Sequence, residues 1–124
     1  MADIRLLMEA VVDPQVDVIW DSVGADITVD GTEEIQPTTE EEWTIVRNSA
    51  LTLAESGNLL MMAPRAVDGD DWMKAAQALV DTGMLAVRAA EAKNADQLFN
   101  AGGIIYSACK NCHQKYWADA PQRF

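Results

Sequence analysis

Cysteine and histidine are scarce in this chain, which holds two cysteines and one histidine among 124 residues. The two cysteines, Cys109 and Cys112, are too close in sequence for a disulfide between them to stabilise the fold, so a packed core must do so. A length of 124 residues suits one domain, residues 1–124, that can bury such a core without disulfides or structural metal.

Basic residues are scarce as well, with 9 lysines and arginines against 20 aspartates and glutamates and a formal net charge of -11. An acidic surface repels phosphate backbones, which argues against nucleic-acid binding and favours partners with a basic surface. Apolar runs of about 18 residues are also missing, so no membrane span is expected. With 49% hydrophobic residues, the composition predicts a soluble globular protein.

The first third of the chain predicts one helix followed by a long loop. Apolar residues recur at helical spacing over residues 3 to 20. Pro14 lies inside this stretch and predicts a kink near Asp13 or two short helices end to end. Over residues 21 to 39 the periodicity fails, and residues 27–29 form only a short extended-looking piece, so a long loop is expected.

Three more helices are predicted downstream. Thr39 and Glu42 form a capping-box pattern that starts the second helix, which Pro64 should close at about residue 62. Asp70 offers an N-cap for a third helix, and a fourth runs from about residue 96 to about residue 118 across a Gly-Gly pair. Four helices with these connections predict an all-α fold, an up-down-up-down four-helix bundle with a long loop between helices one and two.

This topology brings four helix ends to one pole of the bundle. The start of the first helix, the end of the second, the start of the third and the end of the fourth meet there. Met8, Met61, Met73 and His113 are therefore expected to share that pole. Because a helix rises about 1.5 Å per residue, Met8 and His113 should also lie at similar depth from it.

The fourth predicted helix carries the motif Cys109-Lys110-Asn111-Cys112-His113. Two thiols at this spacing can form thioethers with the two vinyl groups of a haem, and the adjacent imidazole can ligate the iron. On a helix the three side chains are related as i, i+3 and i+4, so they project toward the same haem. The motif predicts one haem c, covalently attached through Cys109 and Cys112, with His113 as an iron ligand.

Other chemistries also use a Cys-x-x-Cys pair. A structural zinc site needs about four protein ligands, so this chain would have to recruit carboxylates or a second subunit. A reactive dithiol gains its low thiol pKa at a helix N-terminus, whereas Cys109 lies about fourteen residues into its predicted helix. A third interpretation makes Cys109, Cys112 and His113 ordinary core-facing residues, which the spacing disfavours.

The string IYSACKNCHQKYW resembles the haem-binding helix of the class II c-type cytochromes, the family that contains cytochrome c prime. The resemblance implies a four-helix bundle with the haem at one pole, attached near the C-terminus. It makes Cys109 and Cys112 the attachment points and His113 the proximal ligand. The family often carries a basic residue just after the tyrosine, where this chain has Trp117, which removes the basis for proximal tuning by a cation. Isologous homodimers are common in the family.

Members of this family differ in the sixth iron ligand. Some resemble a bacterial four-helix haem-b cytochrome, with a methionine early in the first helix, and carry electrons. The start ADIRLLMEAVVD resembles that ligand-bearing segment, which makes Met8 the predicted distal ligand, with Met61, Met62 and Met73 in reserve. A core methionine on an apolar stripe is the ordinary alternative for Met8.

Cytochrome c prime itself leaves the iron five-coordinate behind an apolar residue and binds small gases such as NO and CO. The string VRNSALTL resembles its distal-pocket helix, which would put Leu51 over an open iron. That family helix is the first of the four, whereas Leu51 falls in the second predicted helix. We therefore expect Met8 to be the distal residue and keep gas binding or sensing as the alternative function.

Other side chains near the predicted pole complete the expected cofactor-binding set. Arg5 is the best placed to pair with a haem propionate, ahead of Arg47 and Arg65, although a solvated surface arginine is the ordinary role. Trp72, at the start of the third helix, and Tyr116, next to the motif, are predicted to pack in the haem pocket.

The expected function is electron transfer rather than catalysis. Covalent haem attachment takes place outside the cytoplasm in bacteria, so a periplasmic location is expected. The N-terminal MADIRLLMEA lacks the features of a signal peptide, and we take the numbering as that of a mature or recombinant chain. We expect a protein that shuttles single electrons between larger redox partners whose docking surfaces are basic.

Overall fold

The computed structural model describes residues 1–117 and is mostly helical. Four long helical segments, α1 to α4, account for most of it, and a two-stranded hairpin lies between α1 and α2. No helix within these residues is both long and apolar enough to span a membrane. In chain order the elements are α1, made of Ile4–Leu7, Met8–Val12 and Asp13–Ser22 in succession, then β1 Gly24–Thr28, β2 Gly31–Ile35, α2 Glu40–Met61, α3 Asp71–Glu91 and α4 Ala95–Tyr116.

The interruption predicted near Asp13 takes the form of a wide turn within α1. Met8–Val12 is π-helical, and the Asp13 N–H donates to the Met8 carbonyl, five residues back. The α-helical pattern resumes with Pro14 in its first turn, where the missing N–H breaks no hydrogen bond of that segment. The proline is therefore accommodated by widening one turn, not by dividing α1 into two separate helices.

The segment between α1 and α2 is a β-hairpin, so the prediction of a long loop there is wrong. β1 and β2 pair antiparallel, with Thr28 opposite Gly31 across a two-residue turn of Val29 and Asp30. Gly31 has a φ of 132°, a conformation that favours glycine. The β-branched residues 27–29 were the sequence signal, but neither strand has the apolar alternation that identifies a half-buried strand.

Side-chain caps start α2 and α3. Thr39 Oγ1 accepts from the Glu42 N–H at 3.1 Å, which confirms one half of the predicted capping box, and in return the Glu42 carboxylate accepts from the Thr38 N–H at 3.3 Å. At α3, Asp70 occupies the predicted N-cap position, but its side chain makes no capping bond, and Asp68 Oδ1 instead accepts from the Trp72 N–H at 2.9 Å. The cap comes from two residues earlier because Asp68 Oδ1 also accepts from the Asp70 N–H, in a turn that leads into the helix.

Small residues allow α2 and α3 to approach closely. A Cβ atom on Gly83 of α3 would lie 2.8 Å from the Cα atom of Ala54 in α2. A Cβ atom on Gly57 of α2 would lie 2.7 Å from the carbonyl oxygen of Ala76 in α3. Gly83 comes after Ala76 in α3, whereas its neighbour Ala54 comes before Gly57 in α2. The two helices therefore run antiparallel at this contact. All four helices contribute to one apolar core, which includes Ile19, Leu53, Val87 and Leu98.

The first and last helices meet at the Gly-Gly pair of α4, which does not break the helix. Trp20 of α1 donates its indole N–H to the carbonyl oxygen of Gly102 at 3.0 Å. A Cβ atom on Gly102 would lie 3.2 Å from Trp20 Cδ1, so the glycine makes room for the ring. The predicted continuous fourth helix is confirmed, with its end at Tyr116.

Replacing Gly83 with alanine should lower the free energy of unfolding by about 1–3 kcal/mol, because the new methyl group would meet backbone atoms of Ala54. Gly103→Ala is the matched control, since Gly103 is exposed in α4 with nothing within 4 Å of its added Cβ. That control should stabilise the protein by up to about 1 kcal/mol through helix propensity. Urea unfolding monitored by far-ultraviolet circular dichroism measures both. Equal effects of the two substitutions would contradict the close contact between α2 and α3.

Candidate cofactor site

The predicted attachment and ligand side chains face one cavity. Met8 of α1 and Cys109, Cys112 and His113 of α4 all line it. They come from opposite ends of the chain, and the fold brings them to the same cavity. The rest of the wall is mostly apolar and draws on all four helices: Val12, Asp13, Val16, Leu60, Trp72, Ala75, Ala76, Leu79 and Ala108.

Helix geometry directs these side chains into the cavity. On α4 the spacing of Cys109, Cys112 and His113 puts all three on one face. On α1 the π-helical turn begins at Met8. A π-helical turn contains one more residue than an α-helical turn. The extra residue rotates the helix before the turn relative to the helix after it, so the residues before the turn point in a different direction. The direction in which Met8 points therefore depends on that wide turn.

The cavity is narrow. Counting its open mouth, it contains about 520 Å³ of free space. The donor set fits a haem in kind, with two thiols, an imidazole and a thioether around a mostly apolar space.

The imidazole of His113 is in the form that binds metals. Burial lowers the pKa of His113, and the nearby carboxylate of Asp13 opposes that shift by favouring the charged ring. The ring is therefore neutral at pH 7 and keeps a lone pair for a metal. Trp117 packs edge-on against it, with ring centroids 5.1 Å apart, so an aromatic side chain contacts the imidazole.

The two thiols are poorly suited to redox exchange. Burial, together with the neighbouring Cys112 and Asp13, raises the pKa of the Cys109 thiol to about 12. Burial also raises the pKa of the Cys112 thiol. Both thiols are therefore protonated at pH 7, whereas reactive cysteines have lowered pKa values near positive charge or helix N-termini. The sulfur atoms are not joined in a disulfide.

Trp72 forms part of the cavity wall, and Tyr116 packs against Trp72. Trp72 is buried, lines the cavity and donates its indole N–H to the Leu60 carbonyl at 2.7 Å. Tyr116 packs edge-on against Trp72 at 5.0 Å between centroids and donates its hydroxyl to Asp68 Oδ2 at 2.6 Å. Tyr116 thus stands behind Trp72 and is not part of the cavity lining. Sequence reasoning missed Asp68, because a contact across 48 positions leaves no local signal.

The arginines considered for the propionates lie outside the cavity lining. Arg5 is exposed, and its Nε donates to Glu9 Oε1 at 3.1 Å, one helical turn away. Arg65 donates to the carbonyl oxygens of Ala2 at 2.9 Å and Leu59 at 2.8 Å. Arg65 therefore links the N-terminus to the end of α2. Leu60, the residue after Leu59, forms part of the cavity wall.

The reserve distal residues are also outside the cavity lining. Met61 and Met73 are partly buried against the apolar core, and Met62 is 46% exposed. Leu51 is 41% exposed midway along α2. Among the methionines predicted for the distal side, Met8 is the one that lines the cavity.

No family model, curated protein or solved structure matches this chain. Its function must therefore be inferred from its own residues. Within residues 1–117, no group of three or more His, Cys, Asp and Glu side chains is arranged to hold a metal ion. A haem iron needs fewer protein ligands than a bare ion, since the porphyrin supplies its in-plane ligands.

The hydrogen bond between Tyr116 and Asp68 should delay ionisation of the phenol. The Asp68 carboxylate accepts this bond and repels a phenolate, so the pKa of Tyr116 is raised above its usual value of about 10. In a Tyr106→Phe background, ultraviolet titration should show this raised midpoint, and Asp68→Asn should lower it. An identical midpoint in both proteins would contradict the bond.

The same bond lowers the pKa of Asp68. Its stabilising effect is therefore complete above the ordinary aspartate pKa of about 4 and is lost as the pH falls through the lowered pKa of Asp68. The loss of stability caused by Tyr116→Phe should accordingly be present at pH 7 and vanish in strong acid.

Proposed function

We propose that this chain is a c-type cytochrome of the class II kind, an electron-transfer protein with one haem c attached through Cys109 and Cys112. The observation that carries the proposal is the shared cavity, in which both thiols, the imidazole of His113 and the thioether of Met8 meet. His113 is the proximal iron ligand and Met8 the distal ligand. The neutral state of His113 supports its assignment.

The proposed architecture is an up-down-up-down four-helix bundle with the hairpin inserted between α1 and α2. Two contacts support it: Gly83 of α3 lies against Ala54 of α2, and Trp20 of α1 bonds to Gly102 of α4. In this topology the start of α1 and the end of α4 reach the same pole. Cys109, Cys112, His113 and Met8 would then hold a haem at that pole.

The chain's own residues hold and insulate the cofactor. A bound haem supplies a one-electron iron couple, whose reduction potential histidine and methionine ligation raises. Cys109 and Cys112 would attach it to the chain, and His113 and Met8 would ligate its iron and leave no open ligand position for a substrate. Trp72 and other buried apolar side chains exclude water from the site. This arrangement favours outer-sphere electron transfer over enzymatic chemistry.

The setting of the two thiols supports attachment over the alternatives. Their raised pKa values disfavour a dithiol that exchanges with other disulfides. The proposed location is the periplasm, because bacterial haem attachment takes place outside the cytoplasm. A net charge of -11 favours redox partners with basic docking surfaces.

Covalent attachment is tested by mass spectrometry of protein co-expressed with the haem-attachment machinery. The intact mass should exceed that of the polypeptide by one haem, and digestion should leave the added mass on the peptide that contains Cys109 and Cys112. The Cys109→Ser, Cys112→Ser double variant should carry no covalent haem, because both thioether sulfurs are gone. A wild-type chain that gains no haem mass would refute the cytochrome assignment.

The distal ligand is tested by the absorption spectrum of the ferric protein. The weak red charge-transfer band of methionine-ligated haem should be present in the wild type and absent in Met8→Ala, because the thioether ligand has been removed. Met73→Ala is the matched control, since Met73 is partly buried outside the cavity lining, and it should keep the band.

A high-spin spectrum that Met8→Ala leaves unchanged would contradict the ligand assignment. The sixth position would then be vacant, and the gas-binding function would replace electron transfer. Rapid binding of carbon monoxide to the ferrous wild-type protein would accompany that result.

A further inference from the structure

An open groove with about 830 Å³ of free space, counting its open mouth, lies between the end of α1, the start of α2 and the residues that follow β2. Its apolar lining includes Val18, Ile35 and Ile45, and the last two are 44% and 55% exposed. Apolar side chains that line a groove and face solvent are typical of a docking site rather than of a core. This groove is at the opposite end of α2 from the cofactor cavity.

Carboxylates border the groove on both sides. Asp17 and Asp21 come from α1, and Glu42 comes from the first turn of α2. In the part of the chain that the structure describes, its lining residues include no lysine or arginine. An apolar floor between acidic rims is complementary to a segment that carries both apolar and basic side chains.

The hairpin extends this acidic surface. Ile35, the last residue of β2, lines the groove, and the hairpin adds Asp26, Asp30, Glu33 and Glu34 with no base in either strand. Asp26 is directly opposite Glu33 across the two strands, and like charges in that position destabilise a sheet. Both strands are exposed, and within residues 1–117 each pairs only with the other, so each has an edge that can accept another strand. A basic side chain placed beside Asp26 and Glu33 would relieve the repulsion.

Other occupants fit this surface less well. A second copy of the chain would bring acidic surface against acidic surface, because each copy has a net charge of -11. A bound metal ion would lack ligands, since no suitable cluster of three or more His, Cys, Asp and Glu occurs within residues 1–117. Nucleic acids and anionic membranes are repelled by the same carboxylates.

We propose that the groove and the hairpin together bind an extended segment of a partner protein in which basic side chains alternate with apolar ones. The apolar side chains enter the groove between Ile35 and Ile45, and the cations pair with the acidic rims. Leu60 of the cavity wall follows Glu42 by 18 positions in α2, which is about 27 Å along the helix. A partner anchored here leaves the cofactor end uncovered, and the proposal does not depend on the haem.

The test uses the full chain and a fluorescein-labelled peptide in which lysine alternates with valine around one central phenylalanine. Fluorescence anisotropy at low ionic strength should show saturable binding that weakens as salt is added. Two control peptides, one with serine in place of the apolar residues and one with glutamate in place of lysine, should each bind at least about tenfold more weakly.

Two pairs of surface variants test whether the peptide binds in the groove. Ile45→Ser should weaken binding about fivefold, whereas Ile104→Ser, at a 47% exposed position of α4 outside the groove, should leave it unchanged. Asp21→Asn should weaken binding about threefold, whereas Asp81→Asn on α3 should have no effect. Thermal melting checks that all four variants remain folded.

Three results would overturn the proposal. Equal weakening by Asp21→Asn and Asp81→Asn would mean that the peptide responds to net charge alone. Equal binding of the serine peptide would remove the apolar groove from the interaction. Dimers that form with rising protein concentration in sedimentation, and that Ile45→Ser dissociates, would make a second copy of the chain the occupant.

Discussion

The contact between Trp20 and Gly102 sets the register of the first helix against the last. The indole N–H reaches the Gly102 carbonyl at 3.0 Å across 82 positions of sequence. Met8 precedes Trp20 by twelve residues and His113 follows Gly102 by eleven, so both lie about 17 Å along their helices from this contact. Because the two helices run in opposite directions, both side chains arrive at the same cavity. The proposed ligand pair depends on this register.

The elements with strong local signals were predictable from the sequence. The capping box at Thr39 placed the start of α2, and the apolar stripe of the fourth helix persisted through its two glycines. The meeting of Met8 with Cys109 and His113 was also predictable, since it follows from helix order and from the distance of each residue to its helix end. These inferences needed only periodicity, capping chemistry and topology.

The features that could not be predicted depend on contacts distant in sequence or on weak local preferences. The hairpin has no apolar face, so period-two alternation could not identify it. The wide turn at Met8–Val12 is one of several ways to accommodate Pro14, and composition does not choose among them. Asp68 acts through α3 and Tyr116 together, and only the folded chain brings these groups together.

The central claim is that Met8 and His113 hold one haem from opposite faces, at the end of the molecule away from the acidic groove. Carbon-13 labelling of the methionine methyl groups, followed by NMR of the ferrous haem-loaded protein, tests it most directly. A methyl group on an axial sulfur lies above the ring, so ring currents shift its signal far upfield. We predict one such signal among the six methionines, absent in Met8→Leu. Six signals within the ordinary methionine range would contradict the account.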